Sequence, residues 1–128
     1  MKILKVFALF VLLHAAGWAG AHVWMSGHPT QVLVVVDTSY AMKPKFPAVE
    51  AWIQDYAAGA RYQTIRVGTD KAMLGPLDEL KSYSVIFRTA FGRMETDNLQ
   101  RYQGVQASQK ILLSDGSVQP DGWQVISF

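Results

Sequence analysis

Apolar and polar residues fall along this chain in blocks of unlike period. From Ile3 to Met25 the apolar residues run almost unbroken, interrupted by Lys5, His14 and His22, and no polar face develops over the central turns. Such a segment predicts an exposed apolar helix long enough to cross about 30 Å of hydrocarbon. Residues 26–30, within "SGHPTQ", carry Gly27 and Pro29 and read as a linker. One α/β domain is then expected over 31–128.

Val32 to Val36 is a continuous apolar run without alternation, the pattern of a strand buried on both faces, and it ends in Asp37-Thr38-Ser39. After Pro47, which suits a first helical turn, Val49, Trp52, Ile53 and Tyr56 recur at helical spacing up to a stop at Gly59. "RYQTIRV" alternates as a strand nearer an edge, and Lys71 to Leu74 reads as a short edge strand before Gly75-Pro76. In "SYSVIFRTAF" the alternation predicts a strand or turn to about Arg88. A helix is expected after it, with Phe91, Met94, Leu99 and Tyr102 on one face. Ile111 to Leu113 repeats the opening pattern and ends in Ser114-Asp115-Gly116, and a last short strand is expected over Trp123 to Phe128. An Asp-Gly turn leaves a second arrangement open, in which "KILLSDGSVQPDGWQVISF" forms two antiparallel strands. The fold class expected is a three-layer, Rossmann-like α/β domain with a mostly parallel sheet flanked by helices.

Composition narrows the possible functions. The chain has 128 residues, half of them hydrophobic and none of them cysteine, so its core holds without disulfides and no thiolate metal cluster is available. Its formal charge of +2 comes from Lys2 and Lys5, because residues 22–128 balance basic against acidic side chains. Lys43 with Lys45 is the only tight basic pair, which argues against nucleic acid as a partner. The basic start, the apolar middle and Ala19-x-Ala21 make a secretory signal cleaved after Ala21; residues 3–25 retained as a membrane anchor are the other reading. Both readings place the domain outside the cytoplasm, in a periplasm or at a cell surface.

The candidate chemistry lies at strand ends. Asp37 and Asp115, with hydroxyls at Thr38, Ser39 and Ser114, form an all-oxygen set suited to a hard cation such as magnesium or calcium. The same aspartates equally serve as turn-forming acids that accept backbone N–H groups.

"VLVVVDTSYAM", the helix after it, "YQTIRVGTDKAMLGPL" and "KILLSDG" resemble a von Willebrand factor A domain. In that family a D-x-S-x-S loop, a threonine from a middle loop and an aspartate in a T/S-D-G motif hold a divalent cation. An acidic residue of a partner protein completes its shell. The resemblance implies metal-ligand roles for Asp37, Ser39, Thr89 (alternatively Thr96) and Asp115, with Met42 and Gly116 matching flanking positions. It departs from the pattern at Ala41, which has no oxygen where the second serine belongs. The resemblance covers Gln31 to Gly116, whereas the family continues through further helices and two more strands. A shortened domain with an incomplete cation site is therefore expected, acting by protein contact in an envelope complex or by self-association across an open sheet edge.

Two other functions are consistent with parts of the sequence. "VVVDTSYAM" is also similar to the first strand of PIN-type nucleases, which implies magnesium held by Asp37 with Asp97 and Asp115. Cleavage after Ala21 would make His22 an amino-terminal histidine, with His28 nearby, able to chelate copper.

Overall fold

The computed structural model describes residues 1–128. The first helix, α1, spans Lys2–Gly27 with no residue buried, and it is long and apolar enough to cross a membrane. The spacer expected after it is shorter than its composition implied. Helix continues through Gly27 and strand begins at Thr30, so His28 and Pro29 alone join them.

Five strands follow: β1 (Thr30–Val36), β2 (Gln63–Thr69), β3 (Met73–Pro76), β4 (Gln109–Ser114) and β5 (Gln124–Ser127). They form one sheet in the order β3-β2-β1-β4-β5. β1 pairs in parallel with both β2 and β4, β4 pairs in parallel with β5, and β3 runs antiparallel along the edge of β2. The unalternating run Val32 to Val36 is thus explained, since the central strand has a covered sheet on either face. The antiparallel arrangement left open for the last two strands is not adopted.

The two faces are covered by different material. Helix α2 (Phe46–Gly59) buries Val49 and Ile53 against Val32, Val34, Val36, Ile111 and Leu113. On the opposite face, Leu33, Val35 and Leu112 meet Met94, Leu99 and Tyr102, with Val118 and Trp123 packed around them. No α-helix lies on that second face; a 3-10 turn over Thr96–Tyr102 and the connection from β4 to β5 do the covering.

Residues 77–102 depart most from the sequence expectation. The strand read in "SYSVIFRTAF" is absent, replaced by 3-10 turns at Leu77–Glu79 and Tyr83–Val85. Leu77, Leu80, Tyr83, Ile86 and Phe87 all join the α2-side core, a recurrence near three that a two-sided strand could not satisfy. The helix expected after Arg88 is a 3-10 turn beginning only at Thr96, capped reciprocally by Glu95 and Asn98. Before it, Gly92 has φ +74° and the backbone of Phe91 and Gly92 is committed to the loop after β1.

Candidate functional site at the carboxyl edge of the sheet

Strand order reverses between β1 and β4: from β1 the chain proceeds to β2 on one side and later returns through β4 on the other. Open α/β sheets gather polar loops in the crevice beyond the strand ends at that point. Asp37 follows β1, Asp70 follows β2, and Ser114 with Asp115 closes β4.

Asp37 is 1% exposed, and both its oxygens are engaged. Oδ1 accepts the Ser39 N–H at 2.8 Å, and Oδ2 accepts the Ser114 hydroxyl at 3.0 Å. The first bond makes the turn that redirects the chain out of β1; the second ties β1 to β4 beyond their last backbone rungs. Asp115 is exposed, and its carboxyl is held below the usual range chiefly by donation from the Ser117 hydroxyl and N–H, with smaller help from Ser114 and Lys45.

Asp70 is the residue that the sequence reading missed. Its Oδ1 accepts the Thr38 N–H at 3.0 Å and the Thr38 hydroxyl at 2.5 Å. Lys71 Nζ completes the group, donating to Thr38 Oγ1 at 2.8 Å and to the Asp70 oxygens at 3.2 and 3.1 Å. The same ammonium sits 4.3 Å from the centre of the Phe91 ring. One available signal was "VGTDK", another apolar run ending in an acid, though Gly68 and Arg66 obscure it.

Tyr102 supports this corner from beneath. Its hydroxyl donates to the carbonyls of Thr69 and Ala72, on either side of Asp70 and Lys71. Burial pushes its phenol up to about 12, partly offset by Arg101 and aided by the Asp70 charge. Gly68 makes room, because any Cβ there would run into the Tyr102 hydroxyl.

A cleft of about 330 Å³ opens at this edge, lined by Ser39, Ala41, Gly92, Arg93, Asp115 and Ser117 among others. Ser39 and Asp115 both line it, and Asp37 lies one hydrogen bond behind Ser39. Thr89 and Thr96 are exposed and line no part of it. Ala41 does face the cleft and offers no oxygen, while Arg93 contributes a guanidinium to the same wall. One carboxylate and two hydroxyls beside the exposed Arg93 fall short of the oxygen shell that magnesium or calcium requires. No three His, Cys, Asp or Glu side chains converge, so Asp37, Asp97 and Asp115 do not meet as a nuclease triad. His22 and His28 both lie in or at the end of α1, with His22 bonded to the Tyr62 hydroxyl and His28 to the Trp24 carbonyl.

Fold and edge together define a small α/β domain with a mostly parallel sheet, carried on an apolar helix. Comparison with protein-family models, with curated proteins and with solved structures finds no match.

Proposed function

We propose that the protein is a membrane-tethered, extracytoplasmic interaction module of von Willebrand factor A-like type, which docks a protein partner through the carboxyl edge of its sheet and performs no catalysis. One observation carries this reading. Beyond residues 1–27, the large apolar side chains left exposed are Tyr40, Met73 and Phe91, and all three belong to loops or strand ends at that edge. Two of them are held in place, since the Phe91 N–H donates to the Thr38 carbonyl and the Tyr40 N–H to that of Gly92, each at 3.2 Å. Exposed aromatics on a fixed backbone around a polar cleft have the composition of a binding hot spot.

The cation site of the resemblance is read as degenerate, with the Lys71 ammonium serving as the built-in counterion of the edge. Support for the tether comes from α1 itself, whose Lys2 and Lys5 favour a cytoplasmic start. Self-association has its own support in β5, whose outer side has no strand partner.

A photo-crosslinking residue placed at Phe91 in the full chain tests the docking face in intact cells. One discrete adduct from position 91, with none from the exposed positions Gln54 and Asp55 of α2, is expected. Equal labelling from both places sinks the proposal. Light scattering of the detergent-solubilised chain separates an adduct with a second copy from one with another protein.

A further inference from the structure

We propose that the junction between α1 and the sheet domain binds the headgroup phosphate of an anionic phospholipid, with Arg61 as the cation that meets it. This rests on the reading of α1 as a retained membrane anchor.

A second cleft of about 330 Å³ lies at the amino edge of the sheet, opposite the edge described above. Trp18 and His22 of α1 line it with Arg61 and Tyr62, which lead into β2. The two sides are fastened together: His22 Nδ1 is hydrogen-bonded to the Tyr62 hydroxyl, and the Trp18 ring stacks on His22 at 5.6 Å with planes 10° apart. Tyr62 is held in the left-handed region at φ +55°, and its carbonyl accepts the Thr30 N–H at 2.7 Å where β1 begins. The site is therefore built from two elements locked to the base of the central strand.

Arg61 is exposed and has no carboxylate partner, because the structure's one ion pair is Lys71–Asp70. The acids nearest this edge, Asp78 and Glu79 after β3 and Asp121 before β5, do not line this cleft, whose walls are Trp18, His22, Arg61 and Tyr62. Asp78 lines a separate cleft with Ala60 and Gln63. An incoming phosphate thus finds a free guanidinium fork and no like charge in the lining.

Depth decides in favour of lipid. From Ile3 to Trp18 a helix rises about 23 Å, against about 30 Å for a hydrocarbon core. The apolar residues from Ala19 to Met25 supply the remainder, so Trp18 and Tyr62 sit just inside the outer boundary, where such rings are preferred, and the long Arg61 side chain reaches the headgroups. An anionic headgroup is favoured over a choline headgroup, which screens its own phosphate.

The test uses the full chain in nanodiscs of phosphatidylcholine with a minority of phosphatidylglycerol, reading by native mass spectrometry which lipid stays bound. The wild-type chain is expected to retain phosphatidylglycerol with about fivefold greater preference than Arg61→Gln, while Arg93→Gln at the far edge matches wild type. The same ratio for wild type and Arg61→Gln overturns the proposal, as does an equal loss in Arg93→Gln. Added inorganic phosphate that abolishes the preference makes this a free-phosphate site and overturns the lipid assignment. A chain that a carbonate wash strips from membranes removes the anchor reading itself, and this proposal with it.

Discussion

The ammonium of Lys71 bridges the Thr38 hydroxyl, at 2.8 Å, and the Asp70 carboxylate, at 3.1 Å, and so joins the turn after β1 to the turn after β2. Asp70 is 3% exposed and Lys71 21%, so the pair is only partly screened by water. Lys71→Met leaves a nearly buried carboxylate without its cation and is expected to cost about 1–3 kcal/mol. Denaturant titration measures this, and adding Asp70→Asn to Lys71→Met is expected to recover part of the loss. A double variant less stable than the sum of the singles would contradict the pairing.

Tyr102 makes stability fall in alkali. Its folded-state value of about 12 lies above the ordinary tyrosine value of 10.0, so the native state binds a proton that the unfolded state releases. Its stabilising contribution is whole below pH 10 and disappears as pH rises from 10 to about 12. Tyr102→Phe is expected to lose about 1 kcal/mol at neutral pH and to show a shallower decline across that alkaline window. Melting curves at stepped pH, compared between the two proteins, check both expectations.

Asp115 carries the opposite sign. Its folded value is depressed, so its contribution is present above the unfolded carboxylate value and vanishes as pH falls through the folded one. A carboxyl-carbon NMR titration is expected to place Asp115 below the ordinary aspartate midpoint of about 3.9. Ser117→Ala removes the hydroxyl donor and should move the midpoint upward. An unchanged midpoint would assign the shift to the Ser117 N–H, which alanine keeps, and not to the hydroxyl.

Calorimetric titration with magnesium, calcium and manganese is expected to give no saturable heat and no rise in Tm, because Ala41 and Arg93 stand in the cleft wall where oxygens are needed. Saturable heat that Asp37→Ala abolishes would restore a working cation site.

Much of the fold is legible in residue pattern. The run Val32 to Val36 announces a strand covered on both faces, and Pro47 to Gly59 announces α2, because burial there follows one period throughout. Residues 77–102 resist such reading since their period is three, short of a helix and unlike a strand, and their backbone bonds go to distant partners such as Thr38 and Tyr40. At the candidate site, Asp37 and Asp115 stand out at the ends of apolar runs. Asp70 does not, because Gly68 just before it is set by packing against Tyr102, which lies 34 positions from Gly68 and cannot be paired with it by local pattern. The neighbour of Ser39 across the cleft, Arg93, is likewise a matter of tertiary placement.

The two-residue join between α1 and β1 has a mechanical meaning. Under the proposed function, with a partner on the carboxyl edge and α1 in a bilayer, a pull between them would run along β1 from end to end. β1 is hydrogen-bonded in parallel to β2 on one side and β4 on the other. The load is therefore shared in shear by both ladders at once, and no single rung opens first. A tether joined at the other end of that strand would peel the sheet bond by bond; under the proposed function the most deeply buried strand would be the force-bearing cable of the molecule.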